Sequence, residues 1–367
     1  MEGAEKNHFL HVCWSLVGYE TYMMHDVARM QRAISELDDV ELELLGQDTH
    51  RWNAEVLRCI AANAMFLNQL PSPFVCCEDL GPDAEEIVSR MPPGHRVTSR
   101  NSSKVCYTLR QFVRDWAKEG QEERDSCYQP LIDALLKYLP PNKSNDEQPS
   151  VLCPGCGLGR LPFEFARQGY VAEGNEFSYH MLLGSQLILN RSPDEECHTI
   201  YPFVLNSSCL KERFDSFRPI RVPDSSPYQE MPAGARLSMA AGEFVEVYKE
   251  QGGQWDAVAT CFFLDTAKNV FLYIRTIAML IRPGGFWTNF GPLLYHYAEM
   301  EQDISIEPSW EEVKPSIAKY FDIREESHAH ASYTSNLGSF STVIYRCIFF
   351  IGQRNDTPIS GESNPVF

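Results

Sequence analysis

The residues best suited to chemistry lie in a glycine-rich turn and at the tip of the strand candidate that follows it. Residues 155–159 read Gly-Cys-Gly-Leu-Gly, between the apolar run 151–154 and a helical segment at 160–168. Glycines at such a turn let the backbone approach a ligand closely, and the first N–H groups of the helix are free to donate. Glu176 ends the next strand candidate, where a carboxylate can accept from two ribose hydroxyls. The spacing therefore predicts a nucleoside site in one half of a doubly wound sheet.

The kind of nucleoside follows from the third glycine position. A dinucleotide site has Gly-x-Gly-x-x-Gly, whose last glycine lets the helix pack closely. That position is Arg160 here, and the glycines stand instead at Gly155, Gly157 and Gly159. The pattern favours S-adenosylmethionine, which has no pyrophosphate to place on the helix, and it disfavours a dehydrogenase. A tight turn without a ligand is the alternative interpretation.

Composition limits the classes of partner. The 367 residues carry a formal net charge of −18, which argues against nucleic acid or an anionic membrane as the main partner. Twelve cysteines show no zinc spacing, so no metal site is predicted. No apolar run approaches the ~20 residues of a membrane span, and no signal-peptide pattern is present. We expect a cytoplasmic protein, with the nucleus as the alternative location and a homodimer left open.

Strand and helix candidates alternate from residue 150 onward, which is typical of a parallel sheet. The strand candidates are 150–154, 170–176, 236–240, 255–263, 284–290, 321–327 and 342–351. The helix candidates are 8–70, 105–118, 125–139, 160–168, 178–190, 243–250, 267–281 and 309–320. The last two strands are expected to form an antiparallel hairpin. The pattern predicts an α/β fold, a doubly wound Rossmann-like class I methyltransferase sheet with an N-terminal helical extension.

Prolines and polar stretches suggest the domain boundaries. Residues 1–145 are expected to form a helical region that contributes to the cofactor site, and residues 146–352 the methyltransferase domain. Residues 195–235 contain five prolines and interrupt the alternation, which predicts a lid or a substrate wall. Residues 353–367 are expected to be a disordered tail.

Further candidates follow the later strands, because ligands bind at the carboxyl ends of strands in open sheets. Glu243 and Phe244 are predicted to contact the adenine, with a helix cap as the alternative for the glutamate. Asp265 is predicted to face the crevice, to cap a helix starting at Thr266, or both. His296 is expected beside Asp265, with a structural histidine as the alternative.

A helix ahead of the sheet also carries candidates. Gln111 and Arg114 are one turn apart, so their side chains share one face. A guanidinium suits the methionyl carboxylate of the predicted cofactor, and the amide can hydrogen-bond to it. The alternative is a helix face exposed to solvent.

Six segments of the chain resemble the carnosine N-methyltransferase family, and the likeness runs from about residue 8 to residue 351. They are Leu109-Arg110-Gln111-Phe112-Val113-Arg114-Asp115-Trp116, Glu123-Arg124-Asp125-Ser126-Cys127-Tyr128-Gln129-Pro130, Pro154-Gly155-Cys156-Gly157-Leu158-Gly159-Arg160-Leu161, Gly174-Asn175-Glu176-Phe177-Ser178, Thr260-Cys261-Phe262-Phe263-Leu264-Asp265-Thr266-Ala267 and Gly291-Pro292-Leu293-Leu294-Tyr295-His296. The resemblance implies transfer of a methyl group from S-adenosylmethionine to an imidazole nitrogen of the histidine dipeptide carnosine, giving anserine.

The resemblance also implies roles for single residues. The cofactor-binding residues would be Gln111, Arg114, Gly155, Gly157, Glu176, Glu243, Phe244 and Cys261. The substrate-binding residues would be Phe262, Asp265, His296 and Tyr345, of which Asp265 and His296 are the expected catalytic pair. Two other functions stay open: methylation of histidine in another peptide or protein, and cofactor binding by a regulatory protein without turnover.

Overall fold

The computed structural model describes residues 3–46, 49–75, 99–141, 148–301 and 303–359. The chain clusters into two compact units. The helical unit comprises Met1–Glu119, Tyr179–Tyr228 and Thr334–Thr342, and the sheet unit comprises Gly120–Ser178, Gln229–Tyr333 and Val343–Phe367. The predicted boundaries after residues 145 and 352 stay predictions. Residues 353 and 354 of the predicted tail form the end of a strand, and residues 360–367 lie outside the described residues.

The helices and strands are numbered in chain order. The helices are α1 (Gly3–Val17), α2 (Tyr19–Ser35), α3 (Asp39–Leu45), α4 (Thr49–Leu67), α5 (Ser99–Trp116), α6 (Gln121–Tyr138), α7 (Arg160–Gln168), α8 (Tyr179–Arg191), α9 (Pro227–Glu230), α10 (Phe244–Tyr248), α11 (Val270–Leu280) and α12 (Trp310–Tyr320). The strands are β1 (Ser150–Pro154), β2 (Val171–Glu176), β3 (His198–Ile200), β4 (Ile220–Val222), β5 (Arg236–Ala241), β6 (Trp255–Cys261), β7 (Ile281–Gly291), β8 (Phe321–Ala331) and β9 (Tyr345–Arg354).

The helical unit confirms the predicted helical stretch 8–70, but as four helices. Asp38 begins α3 with a capping box, since its side chain accepts from the Glu41 N–H while the Glu41 carboxylate accepts from the Asp38 N–H. Gly46 ends α3 in the left-handed conformation, with φ of +59°. Local caps therefore divide a stretch whose apolar period alone predicts continuous helix.

Residues 195–228 of the segment 195–235 belong to the helical unit, and residues 229–235 belong to the sheet unit. Strands β3 and β4 of the segment pair antiparallel, which the sequence did not indicate. Arg218 forms two hydrogen bonds with the Glu119 carboxylate, at 2.9 and 3.0 Å, and donates to Asn336 Oδ1 at 2.9 Å. The Phe340 N–H donates to the Cys209 carbonyl at 2.7 Å. The segment thus holds residues 334–342, and its predicted role as a lid or wall stays a prediction.

The sheet unit contains seven strands in the order β5-β2-β1-β6-β7-β9-β8. The first five run parallel, whereas β9 pairs antiparallel with both β7 and β8. The predicted closing hairpin is confirmed, although its second strand begins at Tyr345 rather than at residue 342. This order confirms the predicted doubly wound α/β class.

Side chains of the central strands alternate between two apolar clusters, as a period of two requires. In β1, Val151 and Cys153 belong to a cluster that also contains buried residues of α6 and α7. Leu152 belongs to the other cluster, with residues of α10, α11 and α12. Helix α6 is therefore part of the layer that covers one face of the sheet.

The chain after β6 differs from the prediction, which placed a strand at 255–263 and a helix at 267–281. The strand ends at Cys261, because Phe262 turns into the left-handed region with φ of +50°. A short 3₁₀ turn covers Leu264–Thr266, and α11 begins only at Val270. Asn269 caps α11 by accepting from the Leu272 N–H at 3.2 Å. The interpretation of Asp265 as a helix cap is therefore wrong.

The glycine turn after β1 requires glycine at Gly155 for two reasons. Its φ is +63°, and a Cβ atom there would collide with the Phe263 ring. Gly253 has a similar φ of +68°, but a Cβ there would meet no atom within 4 Å. The two positions separate the effect of backbone conformation from the effect of crowding.

We expect Gly155→Ala to destabilise the protein more than Gly253→Ala. Both substitutions place alanine at positive φ, which costs about 1–2 kcal/mol. Only Gly155→Ala also crowds a buried aromatic ring, which adds about 1–3 kcal/mol of overpacking strain. Thermal unfolding of both variants measures the difference, and equal melting temperatures would contradict the predicted collision.

Candidate active site

Glu176 is fixed at the end of β2, beside the glycine turn. It is buried, and its Oε2 accepts from the Gly157 N–H at 3.0 Å. Its Oε1 accepts from the N–H groups of Phe177 and Ser178, at 2.9 and 2.8 Å. Gly157 has φ of +57°, a conformation that glycine adopts at no steric cost. The structure thus brings together the turn and the carboxylate that the sequence predicted to share one site.

The end of β5 is tied to the end of β2. The buried Asn175 side chain donates to the Gly242 carbonyl at 3.0 Å, and the Gly242 N–H donates to the Glu176 carbonyl at 3.0 Å. Glu243 follows and caps α10, its carboxylate accepting from the Glu246 N–H at 2.9 Å. The helix-cap interpretation of Glu243 is confirmed, and its predicted contact with adenine stays a prediction.

Phe244 lies in an aromatic cluster next to this strand end. Its ring is buried, with centroids 5.4 Å from Phe263 and 5.3 Å from Tyr273. Phe263 is the ring that prevents a side chain at Gly155. The cluster therefore connects the β5 end to the glycine turn, while stacking of Phe244 on adenine stays a prediction.

Asp265 lies beyond the end of β6 and is almost fully buried, with 2% of its surface exposed. Its Oδ2 accepts from the Leu294 N–H at 2.9 Å, and its backbone carbonyl accepts from the His296 N–H at 3.0 Å. Within the described part of the chain, its buried Oδ1 has no hydrogen-bond partner. Burial raises the pKa of Asp265 to about 6. A desolvated carboxylate oxygen of this kind suits an N–H donor on a ligand.

The backbone hydrogen bond to Asp265 holds His296 in place after β7. The residue remains exposed, but desolvation by the surrounding protein lowers the pKa of its imidazole. The ring is therefore mostly neutral near pH 7, with one nitrogen able to accept and the other able to donate. The predicted proximity of Asp265 and His296 is confirmed, whereas their catalytic roles stay predictions.

Phe262 is surrounded by aromatic rings. It follows Cys261, which is buried at the end of β6. The Phe262 ring centroid lies 4.8 Å from Tyr333 and 6.0 Å from Tyr345. The left-handed turn at Phe262 requires a small neighbour, since a Cβ at Gly291 would lie 3.1 Å from its N and Cα atoms. Phe262 and Tyr345, both predicted substrate residues, are thus brought together.

Tyr333 was missed by the sequence reasoning. It lies in a polar stretch after β8, where nothing in its neighbours marks it as part of a site. The signal is the β8–β9 register, which pairs Ala331 with Tyr345 and so carries the residues after β8 toward Phe262. A register between strands is not readable from one sequence.

Gln111 and Arg114 belong to α5 in the helical unit, and both are buried. The Gln111 amide donates to Asp115 Oδ2 at 3.0 Å, and the Arg114 guanidinium donates to Asp115 Oδ1 at 2.8 Å. The alternative of a helix face exposed to solvent is therefore wrong. A buried carboxylate orients both side chains, and their predicted contact with a cofactor stays a prediction.

The described residues contain neither a candidate metal site nor a candidate membrane-spanning helix. Within these residues, no set of three or more histidine, cysteine or acidic side chains is arranged to hold a metal ion. None of the described helices combines the length and apolarity that a membrane crossing requires.

Sequence comparisons relate the chain to one known enzyme family. A family model for carnosine N-methyltransferase matches residues 94–356. The carnosine N-methyltransferase of Rattus norvegicus is 36% identical over 352 residues, which cover 95% of this chain and 86% of that protein. The Dictyostelium discoideum protein of the same name is 32% identical over 360 residues, covering 95% of this chain and 76% of that protein.

Among solved structures, Haemonchus contortus phosphoethanolamine N-methyltransferase 2 aligns with a TM-score of 0.42 and 13% identity, covering 71% of this chain and 59% of that chain. The family assignment does not depend on this weak likeness. It rests on the family model, which matches most of the chain, and on relatives above 30% identity that align over 95% of it. The chain belongs to the carnosine N-methyltransferase family.

Proposed function

We propose that this protein transfers a methyl group from S-adenosylmethionine to an imidazole nitrogen of carnosine, giving anserine. The observation that carries the proposal is the buried Asp265 carboxylate, whose Oδ1 has no partner within the described residues, next to the segment that holds His296. The family match supports both the methyl transfer and the histidine dipeptide as substrate.

The cofactor supplies an electrophilic methyl group on a sulfonium. Glu176 would hold the ribose hydroxyls chiefly through Oε2, which accepts from the Gly157 N–H, because Oε1 already accepts from two backbone N–H groups. Gly155 and Gly157 would let the backbone approach closely, since neither carries a side chain. Glu243, Phe244 and Cys261 would contact the adenosine part, and Gln111 and Arg114 the methionyl carboxylate.

The substrate ring needs the correct tautomer more than it needs a strong base. An imidazole has a pKa of about 6.5, so near pH 7 much of it is neutral and one nitrogen already has a lone pair. Asp265 Oδ1 would accept the N–H of the other nitrogen. That hydrogen bond leaves the attacking nitrogen bare and fixes which nitrogen is methylated.

Methylation turns the neutral ring into an imidazolium cation. Asp265 is buried, so its negative charge is weakly screened and would stabilise that cation. The rings of Phe262, Tyr333 and Tyr345 would pack on the flat substrate and favour the cation further. His296, mostly neutral near pH 7, would orient the ring or take the released proton.

We expect Glu176→Gln to weaken S-adenosylhomocysteine binding by about tenfold, because hydrogen bonds to a charged acceptor are lost. The amide oxygen can still accept from the N–H groups of Phe177 and Ser178, so the fold should survive, while the amide NH₂ group would face the Gly157 N–H and loosen the glycine turn. Glu173→Gln is the matched control, since Glu173 is on the same strand and binds Tyr248 and Ser238 instead. Calorimetry compares the two, and equal affinities would place Glu176 outside the ribose site.

We expect Asp265→Asn to lower turnover of carnosine by about a hundredfold or more while leaving S-adenosylhomocysteine affinity nearly unchanged. The amide removes the charge that offsets the imidazolium and can also donate to the ring, favouring the wrong tautomer. Glu299→Gln, which removes a charge from the exposed segment that follows His296, should keep full activity. Wild-type turnover in Asp265→Asn would reject the proposed role. Methylation of histidine peptides but not of carnosine would identify a different substrate.

The pH dependence of kcat/KM gives a separate test. Burial raises the pKa of Asp265 to about 6, so the active carboxylate is lost as the pH falls through that value. The substrate imidazole, with a pKa of about 6.5, is protonated over the same range. Below about pH 5.5, the slope of log kcat/KM against pH should therefore be steeper by about one in the wild type than in Asp265→Asn, because the contributions of the substrate imidazole and of His296 are common to both. Identical slopes would show that Asp265 does not titrate in catalysis.

A further inference from the structure

Glu123 is a buried acidic residue of α6 that the proposed function does not use. It is 8% exposed, whereas its neighbour Glu122 on the same first helical turn is exposed. Charged side chains are seldom buried without a hydrogen-bonding partner. An acid in the first turn of a helix interacts favourably with the helix dipole, but Glu122 can do so from the surface. The burial of Glu123 therefore has another reason.

One such reason is a contact with the segment after β8. The Ser332 hydroxyl donates to Glu123 Oε1 at 2.9 Å. Hydrogen bonds to a charged acceptor are stronger than those between neutral groups. The backbone carbonyl of Glu123 also accepts from the Cys127 thiol at 2.9 Å, within the part of α6 that packs on the sheet. Glu123 therefore ties Ser332 to a fixed helix.

Ser332 is placed where the strand ladder stops. The last pair between β8 and β9 joins Ala331 to Tyr345, and Ser332 is the next residue. Tyr333 follows directly, and its ring lies 4.8 Å from Phe262 at an angle of 48°. Beyond Ala331, the hydrogen bond from Ser332 to Glu123 restrains the chain directly before Tyr333.

We propose that Glu123 is a positioning residue, which acts through Ser332 to hold Tyr333 against Phe262 and so shapes the place of the substrate imidazole. The proposal rests on the proposed function for the identity of that substrate. The proposal gives Glu123 no direct contact with the substrate or the cofactor. Its loss should therefore affect substrate affinity more than cofactor affinity.

The test uses the whole chain, four single variants and the double variant Glu123→Ala/Ser332→Ala. Glu123→Ala and Ser332→Ala each remove the contact, Glu123→Gln keeps an acceptor oxygen for Ser332, and Glu122→Ala is the matched control on the same helical turn. We expect Glu123→Ala and Ser332→Ala to raise the KM for carnosine by about tenfold, as expected for a lost hydrogen bond to a charged group. The dissociation constant for S-adenosylhomocysteine should stay within about twofold. Glu123→Gln should keep most of the affinity, and the double alanine variant should be no worse than Glu123→Ala, because Glu123→Ala already removes the Ser332 contact.

A second measurement needs no turnover. In protein labelled with 3-fluorotyrosine, the ¹⁹F signal of Tyr333, assigned by its loss in Tyr333→Phe, reports the packing of the ring on Phe262. Ser332→Ala and Glu123→Ala should move this signal toward the value of a free tyrosine, and Glu122→Ala should not.

The two measurements separate the possible failures. A wild-type protein that does not methylate carnosine overturns the proposed function, while the fluorine signal still decides the positioning proposal. An unchanged Tyr333 signal in Ser332→Ala, or additive effects in the double variant, overturns the positioning proposal. If Glu123→Ala fails to fold, Ser332→Ala alone decides, because it leaves the helix unchanged.

Discussion

The candidate active site depends on the burial of one carboxylate, that of Asp265. One of its oxygens accepts from the Leu294 N–H, and the other lacks a partner within the described residues. Removing a carboxylate from water without satisfying both oxygens is costly, and the rise of its pKa to about 6 expresses that cost. The fold keeps this arrangement because the Asp265 backbone also accepts from the His296 N–H. A group that donates an N–H and gains positive charge would relieve the cost.

The sheet brings the parts of this site to one edge. The parallel strands place Glu176 at the carboxyl end of β2 and Asp265 beyond the carboxyl end of β6. The antiparallel strand β9 begins at the same edge with Tyr345. Two close backbone approaches set the geometry. Gly155 leaves room for Phe263, and Gly291 leaves room for the left-handed turn at Phe262. Glycines thus determine where the carboxylates and aromatic rings can lie.

Much of this arrangement could be predicted because its signals are local. The turn at Gly155–Gly159, the carboxylate ending β2 and the alternation of strands and helices are all readable along the chain. The errors lie where a contact through space decides the structure. Asn269 rather than Asp265 caps α11, the salt bridge to Asp115 buries Arg114, and the β8–β9 register brings Tyr333 to Phe262. None of these follows from periodicity or composition, because each depends on a partner that the folded chain supplies.

The proposed mechanism requires Asp265 to be a desolvated carboxylate that accepts a hydrogen bond from the imidazole N–H of the substrate. The most direct measurement is a ¹³C NMR titration of its side-chain carboxyl, assigned by comparison with Asp265→Asn, in the presence of S-adenosylhomocysteine with and without carnosine. We expect a pKa near 6 without carnosine, because burial disfavours the charge. We expect a lower pKa with carnosine, because the substrate N–H stabilises the carboxylate. A pKa near the ordinary ~3.9 of aspartate without substrate, or no change when carnosine binds, would contradict the account.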